Sequence, residues 1–234
     1  MNETWEKWCA WSGPINMILF VIGYIFLIKW LPPPSPGLDA NAVAAIYQKN
    51  PVGIRLGWMM VMYAGALNAS FAVIVTICML RMKNASHALA YVQLAAGALD
   101  VVFLIMPAQI FEATAFRPDR DPQITQFGND FGWLIFDMVN SVLMLTWIPI
   151  GLATLSEVSE HPVFPRWSGY FNLWAAVFVI PVSFTTFFKG GPFCWNGIIG
   201  FYIGVAVFCA WYFIMFFLVL KAIKRHYHGG VAPT

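Results

Sequence analysis

The sequence predicts an all-α membrane protein, a polytopic bundle of about six transmembrane helices. The 234-residue chain is 60% hydrophobic and only 10% charged, with a mean hydropathy of +0.69, whereas a soluble domain carries about 25% charged residues. The net charge of +2 is small and dispersed along the chain, so it does not indicate a nucleic-acid partner. The partner that this composition predicts is the lipid bilayer.

Six segments are apolar enough to cross the hydrocarbon core, which takes roughly 20 residues. They cover residues 12–31, 55–80, 88–111, 131–155, 167–188 and 196–220. The polar stretches between them are too short to hold a soluble domain, so residues 1–234 are predicted to form one membrane domain.

The ends of the spans predict how the chain is inserted. Acidic Glu3 and Glu6 precede the first apolar run, whereas a cleavable signal peptide starts with basic residues, so we expect this run to remain as an anchor. Lysines and arginines are almost evenly divided between the two sides. The dense clusters RMK at 81–83 and KAIKRHYH at 221–228 favour an orientation with both termini inside.

Two connections have distinctive patterns. In SPGLDANAVAAIYQKNP, Asp39 is a plausible N-cap, and Val43, Ile46 and Tyr47 form an apolar stripe at helical spacing. This short helix is either a surface-lying connector or a lid over the bundle. The loop FFKGGPFCWNG is either a tight hairpin turn or a place where an anionic head group docks near Lys189.

Proline residues also occur inside three spans. Pro107, Pro149 and Pro181 each lack a backbone N–H, and we expect them to kink their helices and open space between them.

Asp100 is the first candidate functional residue because it lies near the middle of the third span. An ionised carboxylate at that depth costs several kcal/mol, so the side chain should face the bundle interior, be protonated or have a partner. Gln93 and Gly97 share its helix face, and Asn68 lies at similar depth in the second span. We expect a largely neutral Asp100 hydrogen-bonded to Asn68, either as a structural contact between helices or as part of a ligand site.

Asp137 is the second candidate, about two turns into the fourth span from the outer side. Asn140 lies one turn further in, and Trp133 lies one turn nearer the outer surface on the same face. This group is expected to line a cavity that opens outward. The alternative is that Asp137 reaches the head-group region and has no function in the interior.

Histidine and cysteine positions argue against bound metals. His87, His161, His226 and His228 all lie in predicted loops or the tail, so paired haem ligands and a di-iron site are not expected. The four cysteines have no metal-site spacing. The sequence therefore predicts no metal ligands and identifies no cofactor.

Several longer segments carry a family resemblance. They are PPPSPGLDANAVAAIYQKNPVGIRLG, AYVQLAAG, AFRPDRDPQITQ, VFPRWSGYFNLW and FFKGGPFCWNG. Together they resemble a group of bacterial six-helix integral membrane proteins to which no activity is assigned. The resemblance covers most of the chain and implies a multi-pass protein of the bacterial inner membrane. It implies nothing about mechanism.

Three functional hypotheses follow from these residues. The first is a binding or transport component for a small hydrophobic or amphipathic molecule or lipid, acting alone or as a subunit with partner membrane proteins. Its ligand residues would be Asn68, Gln93, Asp100, Trp133, Asp137 and Asn140. The second is an intramembrane enzyme of the lipid or isoprenoid isomerase or cyclase type, with Asp100 and Asp137 as acid and base. The third is a purely structural subunit, which would have no enclosed cavity.

Overall fold

The computed structural model describes residues 2–138 and 140–229, and all regular elements in this part of the chain are helices. The α-helices are α1 (Glu3–Val21), α2 (Ala40–Lys49), α3 (Pro51–Leu80), α4 (His87–Phe116), α5 (Pro122–Asp137), α6 (Asn140–Ser156), α7 (Arg166–Phe178) and α8 (Gly204–His228). Six helical segments of the described chain are long and apolar enough to cross a membrane. They are Glu3–Ile28, Pro51–Leu80, His87–Phe116, Pro122–Ser156, Arg166–Phe187 and Ile198–His228. The predicted all-α transmembrane bundle is confirmed.

The fourth span differs most from its predicted bounds. It begins at Pro122 rather than near residue 131, because Asp121 caps the helix by accepting a hydrogen bond from the Gln123 backbone N–H at 2.8 Å. Proline suits the first helical position, where no N–H is needed. The α-helix is also interrupted within the span, since α5 ends at Asp137 with Met138 as its C-cap, and α6 is described from Asn140. The first span likewise starts earlier than predicted, at Glu3.

Three further segments depart from α-helical geometry within the spans. Ile22–Ile28 continues α1 as a π-helix, Ile180–Phe187 continues α7 as a 3₁₀-helix, and Ile198–Ile203 leads into α8 as a π-helix. The 3₁₀ segment has Pro181 in its first turn, where the missing N–H prevents the α-helical hydrogen-bond ladder from continuing. The helices α4 and α6 continue through Pro107 and Pro149.

One end of the bundle joins the start of α1 to the ends of α3 and α8. The two terminal guanidinium nitrogens of Arg81 donate to the Glu6 carboxylate at 2.6 and 3.0 Å, and the Tyr227 hydroxyl donates to Glu6 Oε1 at 3.0 Å. His228 Nε2 lies 3.0 Å from Glu3 Oε1. We call these five residues the termini clasp. It places the start of the first span and the end of the sixth on the same side, as six crossings require.

The opposite end is covered by the connection that contains α2, and we call it the α2 end. Val43 and Tyr47 are buried, and the Tyr47 hydroxyl donates to Asn129 Oδ1 of α5 at 3.2 Å. Burial raises the pKa of the Tyr47 phenol well above its ordinary value, so it remains a neutral donor. The Trp195 indole N–H donates to the Pro34 carbonyl at 2.8 Å. The predicted helix therefore packs onto the bundle as a cover.

Candidate functional site

A cavity of about 80 Å³ lies in the middle of the bundle, and both candidate carboxylates line it. Its polar wall consists of Asn68 of α3, Asp100 of α4, Asp137 of α5 and Asn140 of α6. The rest of the wall is apolar and includes Phe20, Phe136, Phe201 and Phe208. We call this space the central cavity. Four of the six residues predicted to bind a ligand line it together.

Asp100 is 3% exposed and has one hydrogen bond. The Thr146 hydroxyl of α6 donates to Asp100 Oδ2 at 2.8 Å, and Asp100 Oδ1 has no hydrogen-bond partner among the described residues. The expected Asp100–Asn68 hydrogen bond is not observed there, and Asn68 Oδ1 instead accepts from the Tyr212 hydroxyl of α8. Asp100 therefore presents a free oxygen in a buried site, where an unpaired polar atom costs free energy.

Asp137 is also buried and has few donors around it. Its closest side-chain donor is the Thr185 hydroxyl, at 3.4 Å from Oδ2, which is a long hydrogen bond. Asn140 donates to the Asp137 backbone carbonyl at 3.4 Å and accepts from the Ser183 hydroxyl at 3.1 Å. Asp137 is the last residue of α5 and Asn140 the first of α6, and both line the same cavity wall.

The irregular segments of four spans meet at the central cavity. Its wall includes Phe20, just before the first π-helix, and Asp137 and Asn140 beside the break in the fourth span. It also includes Val182 of the 3₁₀-helix and Phe201 of the second π-helix. Irregular backbone at membrane depth is tolerated where it is buried in protein or lines a cavity, and π-helical segments are often found at functional sites.

An aromatic cluster closes the central cavity toward the α2 end. Its members are Tyr24, Trp30, Trp58, Phe111, Trp133, Phe136, Trp195 and Phe201. Trp133 was predicted to line the cavity, but it lies in this cluster, with its ring centroid 5.7 Å from that of Phe111. Trp133 therefore does not line the central cavity as the sequence led us to expect.

Gln93 lies outside the central cavity as well. The Thr76 hydroxyl donates to Gln93 Oε1 at 2.6 Å, and Gln93 Nε2 has no partner within the described part of the chain. Gln93 lines a second void of about 10 Å³, which Asn68 and Asp100 also border. A void of this size has space for about one water molecule. Gln93 is thus adjacent to the polar wall without reaching the main space.

Several residues that line the central cavity are not fully buried. Phe20 of α1 and Val205 and Phe208 of α8 line the cavity and are only half-buried. In a membrane this surface faces lipid. The wall of the cavity between the first and sixth spans is therefore close to the bundle surface, while the aromatic cluster lies on its α2 side.

Three residues at the site were not predicted from the sequence, namely Thr146, Thr185 and Tyr212. The threonines carry no signal of their own, because a threonine in an apolar helix usually bonds the carbonyl four residues earlier. Thr146 does this too, donating to Val142 O at 3.3 Å. Tyr212 lies within the aromatic run 211–213 of α8, and nothing in the sequence distinguishes it from its exposed neighbour Phe213.

Comparisons with family models, with curated proteins and with solved structures found no match. Within residues 2–138 and 140–229, no group of three or more histidine, cysteine, aspartate or glutamate side chains is arranged to hold a metal ion. The chemistry available at the central cavity is therefore that of carboxyl, amide and hydroxyl groups within an aromatic wall.

Proposed function

We propose that this multi-pass membrane protein binds a small amphipathic molecule in the central cavity, as a carrier or as the binding subunit of a larger assembly in the bacterial inner membrane. The ligand has an apolar body and a head group that donates hydrogen bonds. Asp100 and Asp137 receive the head group, and the phenylalanine side chains contact the body.

The observation that carries this proposal is the unpaired Asp100 Oδ1 in a cavity that a second, poorly paired carboxyl also lines. Buried polar atoms in proteins nearly always have partners, and an exception calls for an explanation. A donor on a ligand would supply the missing partner. The cavity wall offers mainly acceptor oxygens, so it favours an amine or ammonium head over a carboxylate.

The size of the cavity requires its wall to move when a ligand binds. Sites for drug-sized ligands have volumes of about 300–1,000 Å³, whereas the central cavity has about 80 Å³. A ligand larger than a few water molecules must displace part of the wall. The half-buried Phe20 and Phe208 are the side chains that can move toward lipid, which leaves the ligand's body between the first and sixth spans.

The proposal is tested with hexylamine and with potassium hexanoate, two probes of equal chain length and opposite head-group chemistry. We expect hexylamine to raise the thermal unfolding midpoint of the purified protein in detergent, and hexanoate to leave it unchanged. Asp100→Asn and Asp137→Asn should each weaken the apparent hexylamine affinity about tenfold, as expected for the loss of a charge-assisted hydrogen bond.

Asp130→Asn is the matched control, because Asp130 lies two turns from Asp137 on α5 and does not line the cavity. It should bind hexylamine as the wild type does. Equal affinity in all three variants, or equal stabilisation by hexanoate, would contradict the proposal.

A second candidate function is acid–base catalysis on a lipid or isoprenoid substrate within the membrane. One observation favours it, namely that Asp100 and Asp137 border the same cavity, since general acid–base chemistry needs two such groups in reach of one substrate. A purely structural subunit is the third hypothesis, and the polar wall of the central cavity is what favours binding over it.

Catalysis and binding make different predictions for molecules that co-purify with the protein. If the protein is an enzyme, mass spectrometry of the wild type should find a substrate and an isomer or cyclised product. Asp100→Asn and Asp137→Asn should then retain the substrate alone. A carrier should hold one unaltered molecule, in reduced amount in both variants.

A further inference from the structure

A second, larger depression lies on the surface of the bundle between α3 and α4, at the α2 end. It has a volume of about 640 Å³. Its floor and walls come from the first turns of α3, the last turns of α4 and the turn that follows α4. The residues are Val52, Arg55, Leu56, Met59, Gln109, Glu112, Ala113, Phe116 and Arg120. We call it the α3–α4 groove, and it shares no residue with the central cavity.

The groove holds charges of both signs that do not neutralise one another. Arg55, Glu112 and Arg120 all line it and are half-buried. None of them forms an ion pair with a described residue, so the two guanidinium groups and the carboxylate can each pair with a bound molecule. Arg55 makes a single side-chain hydrogen bond, from Nε to the Pro51 carbonyl at 3.3 Å, and its terminal nitrogens remain available.

The charged part of the groove continues into an apolar part. Val52, Leu56 and Met59 of α3 and Phe116 of α4 are exposed large side chains on its walls. Leu56 and Met59 lie further along α3 from its start than Arg55 does, so the apolar surface extends toward the middle of the membrane. Charged groups near a span end, with apolar surface on the membrane side of them, match the layout of a phospholipid.

We propose that the α3–α4 groove binds a phosphatidylethanolamine molecule from the surrounding bilayer. The phosphate lies between Arg55 and Arg120, because guanidinium groups form strong charge-assisted hydrogen bonds with phosphate oxygens. The primary ammonium donates to Glu112, and an acyl chain runs over Leu56 and Met59. This lipid pairs each charge of the groove with an opposite charge. An anionic lipid without an amine leaves Glu112 unpaired.

The test uses the purified, delipidated full chain and native mass spectrometry with equal amounts of three lipids that share the same acyl chains. The head groups are phosphoethanolamine, phosphocholine and phosphoglycerol. We expect the phosphoethanolamine lipid to be retained about tenfold more than either of the others. Excess inorganic phosphate should not displace it, because phosphate lacks the ammonium and the acyl chains.

Variants separate the roles of the three charged residues. Arg55→Gln and Arg120→Gln should each reduce retention of the phosphoethanolamine lipid about tenfold. Glu112→Gln should remove the preference over the phosphoglycerol lipid, and it should not reduce binding of the latter. Arg117→Gln is the matched control, because Arg117 is exposed in the same turn and does not line the groove.

Circular dichroism of each variant establishes that the bundle is folded before lipid is added. Three results would overturn the proposal. They are equal retention of the three lipids by the wild type, displacement by inorganic phosphate, and a loss in Arg117→Gln as large as the loss in Arg55→Gln.

Discussion

Replacing Arg81 with methionine is expected to destabilise the folded protein by about 3 kcal/mol, since breaking a buried ion pair leaves an uncompensated charge. Glu6 is 5% exposed, and Arg81 is its bidentate partner. In the variant, the Glu6 carboxylate keeps only the hydroxyl of Tyr227. The measurement is denaturant-induced unfolding of the purified protein in detergent micelles.

Lys7→Met is the matched control for this experiment. Lys7 pairs with Glu3 at 2.8 Å, but the two side chains are 49% and 25% exposed, and exposed ion pairs contribute about 1 kcal/mol or less. The double variant Glu6→Gln with Arg81→Met removes both charges and should recover a large part of the lost stability. Equal losses of stability in Arg81→Met and Lys7→Met would show that the Glu6–Arg81 ion pair is not buried in the membrane protein.

The termini clasp also bears on the proposed site. It joins the start of the first span to the end of the sixth, and both of these spans contribute side chains to the wall of the central cavity. The same spans also contact each other near this end, where the ring centroids of Trp11 and Phe216 are 4.9 Å apart. If the first and sixth spans separate at Phe20 and Phe208 to admit a ligand, we expect their ends at the termini clasp to stay together.

The six spans were predictable because hydropathy over about 20 residues is a strong signal. The depth of Asp100 followed from its place in the third span, and its burial followed from the cost of exposing a carboxylate to lipid. Its true partner, Thr146, lies 46 residues away on α6. No local spacing identifies which of several helices will face Asp100, so Asn68 was the natural but incorrect expectation.

The irregular backbone was not predictable in the same way. The π-helices at Ile22–Ile28 and Ile198–Ile203 have apolar sequences that suit an α-helix equally well. Only packing against neighbouring spans distinguishes the two geometries. Trp133 illustrates the same limit. Its spacing from Asp137 indicated a shared helix face, but its indole ring packs against Phe111 and Trp195 in the aromatic cluster.

One such packing contact joins the first π-helix to α3 through two glycines. A Cβ atom on Gly57 would lie 2.7 Å from the Gly23 carbonyl oxygen and would also overlap the Ile28 side chain, and a Cβ on Gly23 would lie 2.7 Å from the Gly57 carbonyl oxygen. Small residues allow this approach of two backbones within a membrane. The contact keeps the π-helix against α3, so that Tyr24 of the π-helix packs in the aromatic cluster with its ring centroid 6.1 Å from that of Trp58.

Gly57→Leu should therefore lower the stability by about 3 kcal/mol, the upper range for inserting volume into a packed interior. The better helix propensity of leucine offsets only about 1 kcal/mol of the clash. Ala66→Leu on the exposed face of the same helix is the matched control and should change the stability little. Because the displaced π-helix adjoins Phe20, Gly57→Leu should also weaken hexylamine binding. If Gly57→Leu is as stable as Ala66→Leu and binds hexylamine as the wild type does, the backbones of Gly23 and Gly57 are not in contact. This pair of glycines then does not position the first π-helix beside the central cavity.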